Sequence, residues 1–140
     1  MGMFTLFDIA GSAMGAQSQR LNAIASNLAN VDSSTSVDGK PYRARQVVFQ
    51  VQPMTSAAPA QREAAVGVKV ASVVESDAPQ RKVYQPGHPL ADASGMVSYS
   101  NVDPVEEMTN MIAASRAYQF NAEMMNTSRV LLQKTLEIGR

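Results

Sequence analysis

The chain of 140 residues contains no cysteine, which excludes disulfide bonds and thiolate metal sites. It also has no net charge, because the 12 basic residues are equal in number to the 12 acidic ones. A neutral chain provides no basic surface for nucleic acid and no polybasic patch for anionic lipid. We therefore expect neither a nucleic-acid partner nor direct membrane insertion. Neutrality also removes the self-repulsion that keeps many proteins monomeric, which favours association.

The first twenty residues lack the pattern of a secretory signal peptide. Asp8 interrupts the apolar stretch, and the first basic residue, Arg20, follows that stretch instead of preceding it. No run reaches the ~20 apolar residues of a membrane-spanning helix. If the protein leaves the cytoplasm, we expect it to do so without a cleaved leader.

Proline is unevenly distributed and divides the chain into three segments. Residues 1–31 have none, residues 32–103 have six of the seven, and residues 104–140 have one, at their first position. We expect terminal helices over 1–31 and 104–140 and a middle segment of short strands and turns over 32–103. The predicted fold is mainly α with a small β or irregular insert. The terminal helices should pair as a coiled-coil hairpin, with the middle segment packed outside.

Residues 1–31 carry mostly apolar side chains at alternating intervals of three and four, the seam spacing of a coiled coil. This seam contains Phe7, Ala10, Met14, Gln17, Leu21, Ile24, Leu28 and Val31. Beside it runs a small-residue stripe, composed of Gly11, Gly15, Ser18, Asn22, Ala25 and Ala29. Such a stripe would let another backbone approach closely. The remaining outer surface carries Ser, Gln and Asn where a solvated helix face normally carries charge.

The C-terminal helix has a recognisable beginning and end. Asp103 can cap its first amides, Pro104 suits the first helical position, and Glu106 can reach back to the cap. Gly139 is the expected stop.

This helix also carries two apolar sides. The predicted seam is Met108, Met111, Ser115, Tyr118, Ala122, Met125, Arg129, Leu132 and Leu136. A second apolar set lies on nearly the opposite side and contains Ala113, Ala117, Phe120, Met124, Leu131 and Ile138. A two-helix hairpin needs one apolar side on each helix, so we expect the second sides to be buried between subunits and the ends to order on assembly.

In the middle segment, alternating apolar residues predict strands over 45–51, ending at Pro53, and over 67–73. The dipeptide at 38–39 predicts a turn, residues 54–65 a mobile loop, and residues 84–95 ordered turns.

The sequence contains no pattern typical of an enzyme. His88 is the sole histidine, and it lacks partners at metal-ligand spacing apart from the nearby Asp92. No serine or lysine lies in a nucleophile motif. We therefore expect a non-enzymatic protein with no cofactor and no metal. On the residues alone, a self-contained helical-hairpin adaptor stays open beside a polymerising subunit.

Residues 25–32 resemble the signature of the flagellar rod, hook and hook-associated proteins, the bacterial axial protein family. The residues concerned are Ala25, Ser26, Asn27, Leu28, Ala29, Asn30, Val31 and Asp32. Residues 38–44, 84–89 and 101–119 are similar to the small proximal-rod members of that family. The sequence departs from their pattern at Gln85, Leu90 and Met96.

The resemblance implies a structural subunit of the proximal rod, which polymerises through the terminal helices of an inner-tube domain. Such a subunit is exported unfolded by the flagellar type III apparatus and assembled across the periplasm. There the rod is a drive shaft that transmits torque from the membrane ring to the hook. The implied partners are copies of itself, other rod proteins, the ring junction and the export apparatus. Another small rod subunit of the family is the alternative.

Together with the spacing of the helices, the resemblance predicts which side chains form the coiled-coil and assembly interface. They are Phe7, Met14, Leu21, Ile24, Leu28, Val31, Met108, Met111, Tyr118, Phe120, Met124, Met125, Leu131, Leu132 and Leu136.

Overall fold

A computed structural model describes residues 3–34, 40–53 and 66–139, and the structural statements below concern these residues. The elements are α1 (Met3–Ala29), β1 (Arg45–Pro53), β2 (Val66–Glu75), β3 (Lys82–Tyr84), β4 (Met96–Ser98) and α2 (Pro104–Ile138). The predicted fold, two long terminal helices with a small β insert, is confirmed. The turn predicted at 38–39 and the loop predicted over 54–65 lie outside the described residues.

The two helices pack side by side and run in opposite directions. α1 has 27 residues and α2 has 35, or about 40 and 50 Å at 1.5 Å per residue. Near the start of α2 the Arg20 guanidinium donates to the Asn110 side chain, 3.3 Å away. Of the helices within the described residues, none is both long and apolar enough to cross a membrane.

α2 begins at a capped turn. Asp103 has extended backbone angles, and its carboxylate accepts from the amides of Val105 at 2.8 Å and Glu106 at 3.3 Å. Pro104 occupies the first helical position, where no amide hydrogen is needed. At the other end the Gly139 amide donates to the Thr135 carbonyl.

β1 and β2 form a two-stranded antiparallel sheet, with Arg45 opposite Glu75 and Pro53 opposite Val66. β1 begins at 45 and ends at Pro53, as predicted, while β2 begins one residue before and ends two residues after the predicted 67–73. The sheet is attached to α1 because the Val68 amide donates to the Ser12 hydroxyl at 3.1 Å.

The sequence predicted only turns over 84–95, whereas the structure adds a second sheet around them. β3 and β4 pair antiparallel, and Val97 in β4 is almost completely buried. Strands of three residues are too short to display an alternating pattern, which explains why they were missed.

The turn between these strands depends on Asp92 and Gly95. One oxygen of the Asp92 carboxylate accepts from the Ser94 hydroxyl and from the Ser94 and Met96 amides. The bond from the Ser94 hydroxyl, followed by that from the Met96 amide, lowers the pKa of Asp92. Gly95 has φ of +75°, and a Cβ there would lie 2.9 Å from the Tyr84 ring. Only glycine fits this position without strain.

Gly95→Ala should therefore destabilise the protein by roughly 1–2 kcal/mol, because it combines left-handed backbone strain with a close contact to the Tyr84 ring. Urea denaturation followed by circular dichroism measures the loss. Gly87→Ala is the matched control, since a Cβ at Gly87 meets nothing within 4 Å. Equal stability of the two variants would contradict the strain argument.

Candidate functional site

The buried residues of α2 do not coincide with the predicted seam. Each of them directly precedes a residue that the sequence predicted for the seam. Glu107, Ala114 and Ser128 are the buried residues, and they recur at intervals of seven and fourteen. The predicted members Met111, Met125 and Leu132 lie half-buried between them, whereas Met108 is 56% exposed. The seam within one chain therefore differs from the one expected.

The physical reason is the size of the side chains. Ala114 and Ser128 are small, and Ser128 satisfies its own hydroxyl by donating to the Met124 carbonyl at 2.8 Å. Small side chains let the helices approach closely, so the large methionine beside Glu107 is displaced to the outside. Hydrophobicity alone ranks Met108 above Glu107, which is why the sequence predicted Met108 for this position, whereas Glu107 is the buried one in the single chain.

On α1 the structure places the predicted seam against the rest of the molecule. Ile24 is buried, and the other predicted interface members are half-buried: Phe7, Met14, Leu21, Leu28 and Val31. α1 therefore supplies most of the apolar surface between the two helices.

Part of the surface of each helix is open in the single chain. All six members of the small-residue stripe are exposed. A Cβ at Gly11 or Gly15 would meet nothing within 4 Å. On α2, the predicted interface residues with substantial exposure are Met108, Tyr118, Phe120, Met124, Leu131 and Leu136. Phe120 is 64% exposed and Ile138 is 85% exposed.

A polar junction holds the helices to the middle segment, and Asn27 lies at its centre. Asn27 is fully buried. Its Oδ1 accepts from the Arg45 amide at 2.8 Å and from the Tyr42 hydroxyl at 3.0 Å, while its Nδ2 donates to the Arg45 carbonyl at 2.9 Å. Because both backbone groups of Arg45 are bonded, Asn27 fixes the first residue of β1 against α1.

Glu107 approaches the same junction from α2. It is 8% exposed, and its Oε2 has no hydrogen-bond partner among the described residues. Burial raises the pKa of Glu107, with a further rise from the charge of Glu106; a hydrogen bond from Asn27 and the Arg20 guanidinium act in the opposite direction. A cavity of about 400 Å³ lies alongside, lined by Arg20, Ile24, Arg45, Phe49, Glu107 and Asn110 among others.

A second polar junction lies just before α2. The Asn101 Oδ1 accepts from the Ala44 amide at 2.7 Å, and its Nδ2 donates to the carbonyls of Ser76 and Ala78. The buried Ser100 hydroxyl donates to the Val31 carbonyl at 2.6 Å. These bonds join the ends of α1, β2 and the segment that enters α2.

Six of the eight signature residues fall into two groups in space. Asn27, Ser26, Asn30 and Asp32 make polar contacts within the molecule; Ser26 lies 3.1 Å from the Tyr42 hydroxyl, and Asp32 forms an exposed ion pair with Arg81 at 2.9 Å. Ala25 and Ala29 are exposed on the small-residue stripe. The sequence analysis identified Asn27 only as a signature residue and predicted no role for Glu107 or Asn101. The sequence signal that could have identified these residues is a side-chain amide or carboxylate next to an apolar seam.

The arrangement offers structural contacts and little chemistry. His88 accepts a hydrogen bond from the Leu90 amide through Nδ1, and the Asp92 carboxylate accepts hydrogen bonds from its own turn. Within residues 3–34, 40–53 and 66–139, no three His, Cys, Asp or Glu side chains are grouped closely enough to hold a metal ion.

Two family models match the chain at its two ends. Residues 7–35 match the model described as flagella basal body rod protein, and residues 93–138 match the C-terminal model of the flagellar basal body rod FlgEFG proteins. Three similar relatives are each named flagellar basal-body rod protein FlgC. Their identities are 59% for Salmonella typhimurium, 58% for Escherichia coli O6:H1 and 55% for Yersinia enterocolitica, over 140 residues and 100% of both chains.

The Asn27 junction generates a stability prediction. Asn27→Ala should lower the free energy of unfolding by roughly 3 kcal/mol, because both backbone groups of Arg45 lose their buried partner. Urea denaturation measures this. Asn22→Ala, on the exposed side of the same helix, should change it by less than about 0.5 kcal/mol. Similar losses for both variants would disprove the junction's role.

Burial of Glu107 generates a pH prediction. A raised pKa means that the folded chain binds this proton more tightly than the unfolded chain does. Stability should therefore rise as pH falls from 7 towards the unfolded-state pKa of 4.5, and gain nothing more from this group below that value. Thermal denaturation of the wild type, Glu107→Gln and the exposed control Glu106→Gln tests it. Only Glu107→Gln should weaken the dependence of stability on pH and be more stable than the wild type at pH 7. A wild-type dependence of stability on pH in Glu107→Gln would rule out burial of Glu107 as its cause.

Proposed function

Since the chain belongs to the flagellar basal-body rod proteins and is a structural subunit of that rod, we propose that it polymerises there through its two terminal helices. The observation that carries the proposal is the outer side of each helix. One presents a stripe of small residues, and the other presents large apolar side chains at the same spacing.

These two surfaces are complementary in shape. Gly11 and Gly15 leave space beside α1, while Phe120, Met124 and Leu131 project from α2. Large side chains from one copy can pack into the space beside small ones on the next, as knobs enter holes in a coiled coil. Because the contact joins different surfaces of two copies, it can repeat around a ring or helix.

We assign the terminal segments 1–31 and 104–140 to an inner-tube domain and place 32–103 on the outside of the tube. This division is supported by the middle segment lying against α1 through Ser12 and Asn27. The wall of the tube would then consist of helices that run along its axis. Axial helices are suited to a shaft, and we propose that this subunit lies in the proximal rod and transmits torque from the membrane ring to the hook.

The partners in this proposal are copies of the chain, other rod proteins, the ring junction and the export apparatus. We propose export in an unfolded state, followed by assembly across the periplasm. The limited burial of large side chains supports this, since few of them are fully buried within the part of the chain that the structure describes. We also propose that the protein has no catalytic activity. Membership of the rod family favours this role over that of a self-contained adaptor.

Gly15→Leu tests the small-residue stripe. Because nothing lies within 4 Å of a Cβ at this position, leucine should preserve or increase helix content in the free chain. It should nevertheless reduce association about ten-fold or more by keeping a neighbouring helix away. Sedimentation velocity over a range of concentrations and recovery in isolated rods are the readouts.

Gly15→Ala is the control, since it shares the gain in helix propensity and adds only one methyl group. It should associate nearly as well as the wild type. Association of Gly15→Leu at wild-type concentrations would exclude this side of α1 from the interface.

A further inference from the structure

The Arg20 guanidinium of α1 faces two acceptors on α2, Asn110 and Glu107, and all three side chains line one cavity. Arg20 donates to the Asn110 Oδ1 atom at 3.3 Å, and the ion pairs found among the described residues involve neither Arg20 nor Glu107. We propose that Arg20 is a proton-controlled switch, which bonds Asn110 while Glu107 is neutral and moves to the Glu107 carboxylate when that group ionises. The switch belongs to the hairpin of a single chain and does not depend on polymerisation.

The first argument is the state of Glu107 in the structure. Glu107 is 8% exposed, and its Oε2 atom has no hydrogen-bond partner among the residues that the structure describes. An ionised carboxylate in such a position would be costly without a cation against it, whereas a neutral carboxylic acid tolerates burial. Burial, the main influence on this group, raises the pKa of Glu107 in the same sense. The arrangement in which Arg20 bonds Asn110 is therefore that of the neutral acid.

The second argument is the short path between the two acceptors. Glu107 and Asn110 are three residues apart on α2, so their side chains are neighbours on the helix surface. The cavity that they line with Arg20 has a volume of about 400 Å³, which leaves room for a guanidinium to move. A change of rotamer in the long Arg20 side chain would therefore suffice, and neither helix needs to shift.

The third argument comes from the other groups that face Glu107. They are Asn27 from α1, Arg45 from β1 and Glu106 from α2 itself. Asn27 is committed to the Arg45 backbone, and the Arg45 guanidinium lies over a tyrosine ring, 5.6 Å from its centroid. Glu106 would repel a second negative charge. Arg20 makes one hydrogen bond, to a neutral amide, and an ionised carboxylate is the stronger acceptor of the two.

The switch limits what the hairpin loses when the pH rises. The proton on Glu107 stabilises the folded chain fully below the unfolded-state pKa of 4.5, and this contribution is lost as the pH rises through the higher folded-state pKa. A cation that moves to the new charge offsets part of that loss. Arg20 should therefore contribute more to stability at neutral pH than in acid.

A double-mutant cycle at two pH values tests this, with urea denaturation of the full-length chain as the measurement. At pH 7.5, Arg20→Gln should lower the folding equilibrium constant about ten-fold, because an ionised Glu107 then lacks its cation. At pH 4 the loss should be less than about three-fold, since only a hydrogen bond to a neutral amide is replaced. In the Glu107→Gln background, the effect of Arg20→Gln should be the same at both pH values.

Two further variants separate charge from packing. Arg20→Lys keeps the positive charge and should recover most of the stability that Arg20→Gln loses at pH 7.5. Arg116→Gln, at an exposed position of α2, should behave like the wild type at both pH values. Equal losses for Arg20→Gln at pH 4 and pH 7.5 would overturn the proposal.

Nuclear magnetic resonance of the wild type provides a readout that does not depend on whether any variant folds. The Arg20 Nε–H signal should shift with the same midpoint as the Glu107 side-chain carboxyl carbon, and the Arg20 shift should disappear in Glu107→Gln. The Arg116 signal is the internal reference and should not follow that midpoint. A Glu107 carbon that titrates while the Arg20 signal stays constant would show that Arg20 does not move, and the proposal would be wrong.

Discussion

The side chain of Asn27 is fully buried where α1, α2 and β1 meet, and it bonds both backbone groups of Arg45 together with the Tyr42 hydroxyl. Leaving any of these groups without a partner in the interior would cost more than a typical hydrogen bond contributes. The middle segment must therefore begin its first strand at one point on α1. The position of the β1–β2 sheet beside the helices follows from that constraint.

Each helix has an inner side that packs within the molecule and an outer side that is exposed to solvent. The inner side of α2 carries small and polar buried residues, Ala114, Ser128 and Glu107, whereas the inner side of α1 carries larger apolar side chains such as Ile24. Their outer sides retain Phe120, Leu131 and Ile138 in contact with solvent. Under the proposed polymerisation, covering these residues between copies would add apolar burial to that already present within the hairpin.

Polar contacts carry the specificity of the fold, whereas we propose that the exposed apolar side chains carry the capacity for assembly. Asn27 and Asn101 each join segments distant in the sequence through short hydrogen bonds. The exposed apolar side chains of α2 lie on a regular helix, where positions repeat and suit repeated neighbours. Glu107 faces Asn27 with one side and an open cavity with the other.

The sequence by itself determined the two terminal helices, the cap at Asp103 and the small-residue stripe, since each depends on residues close together along the chain. It also predicted β1 and β2, whose alternation is long enough to detect. Tertiary structure alone decided that Glu107 and not Met108 faces α1, and that Asn27 and Asn101 are the joints of the molecule. These outcomes depend on how closely two helices approach and on which distant backbone groups need partners, and neither is encoded in local hydrophobicity.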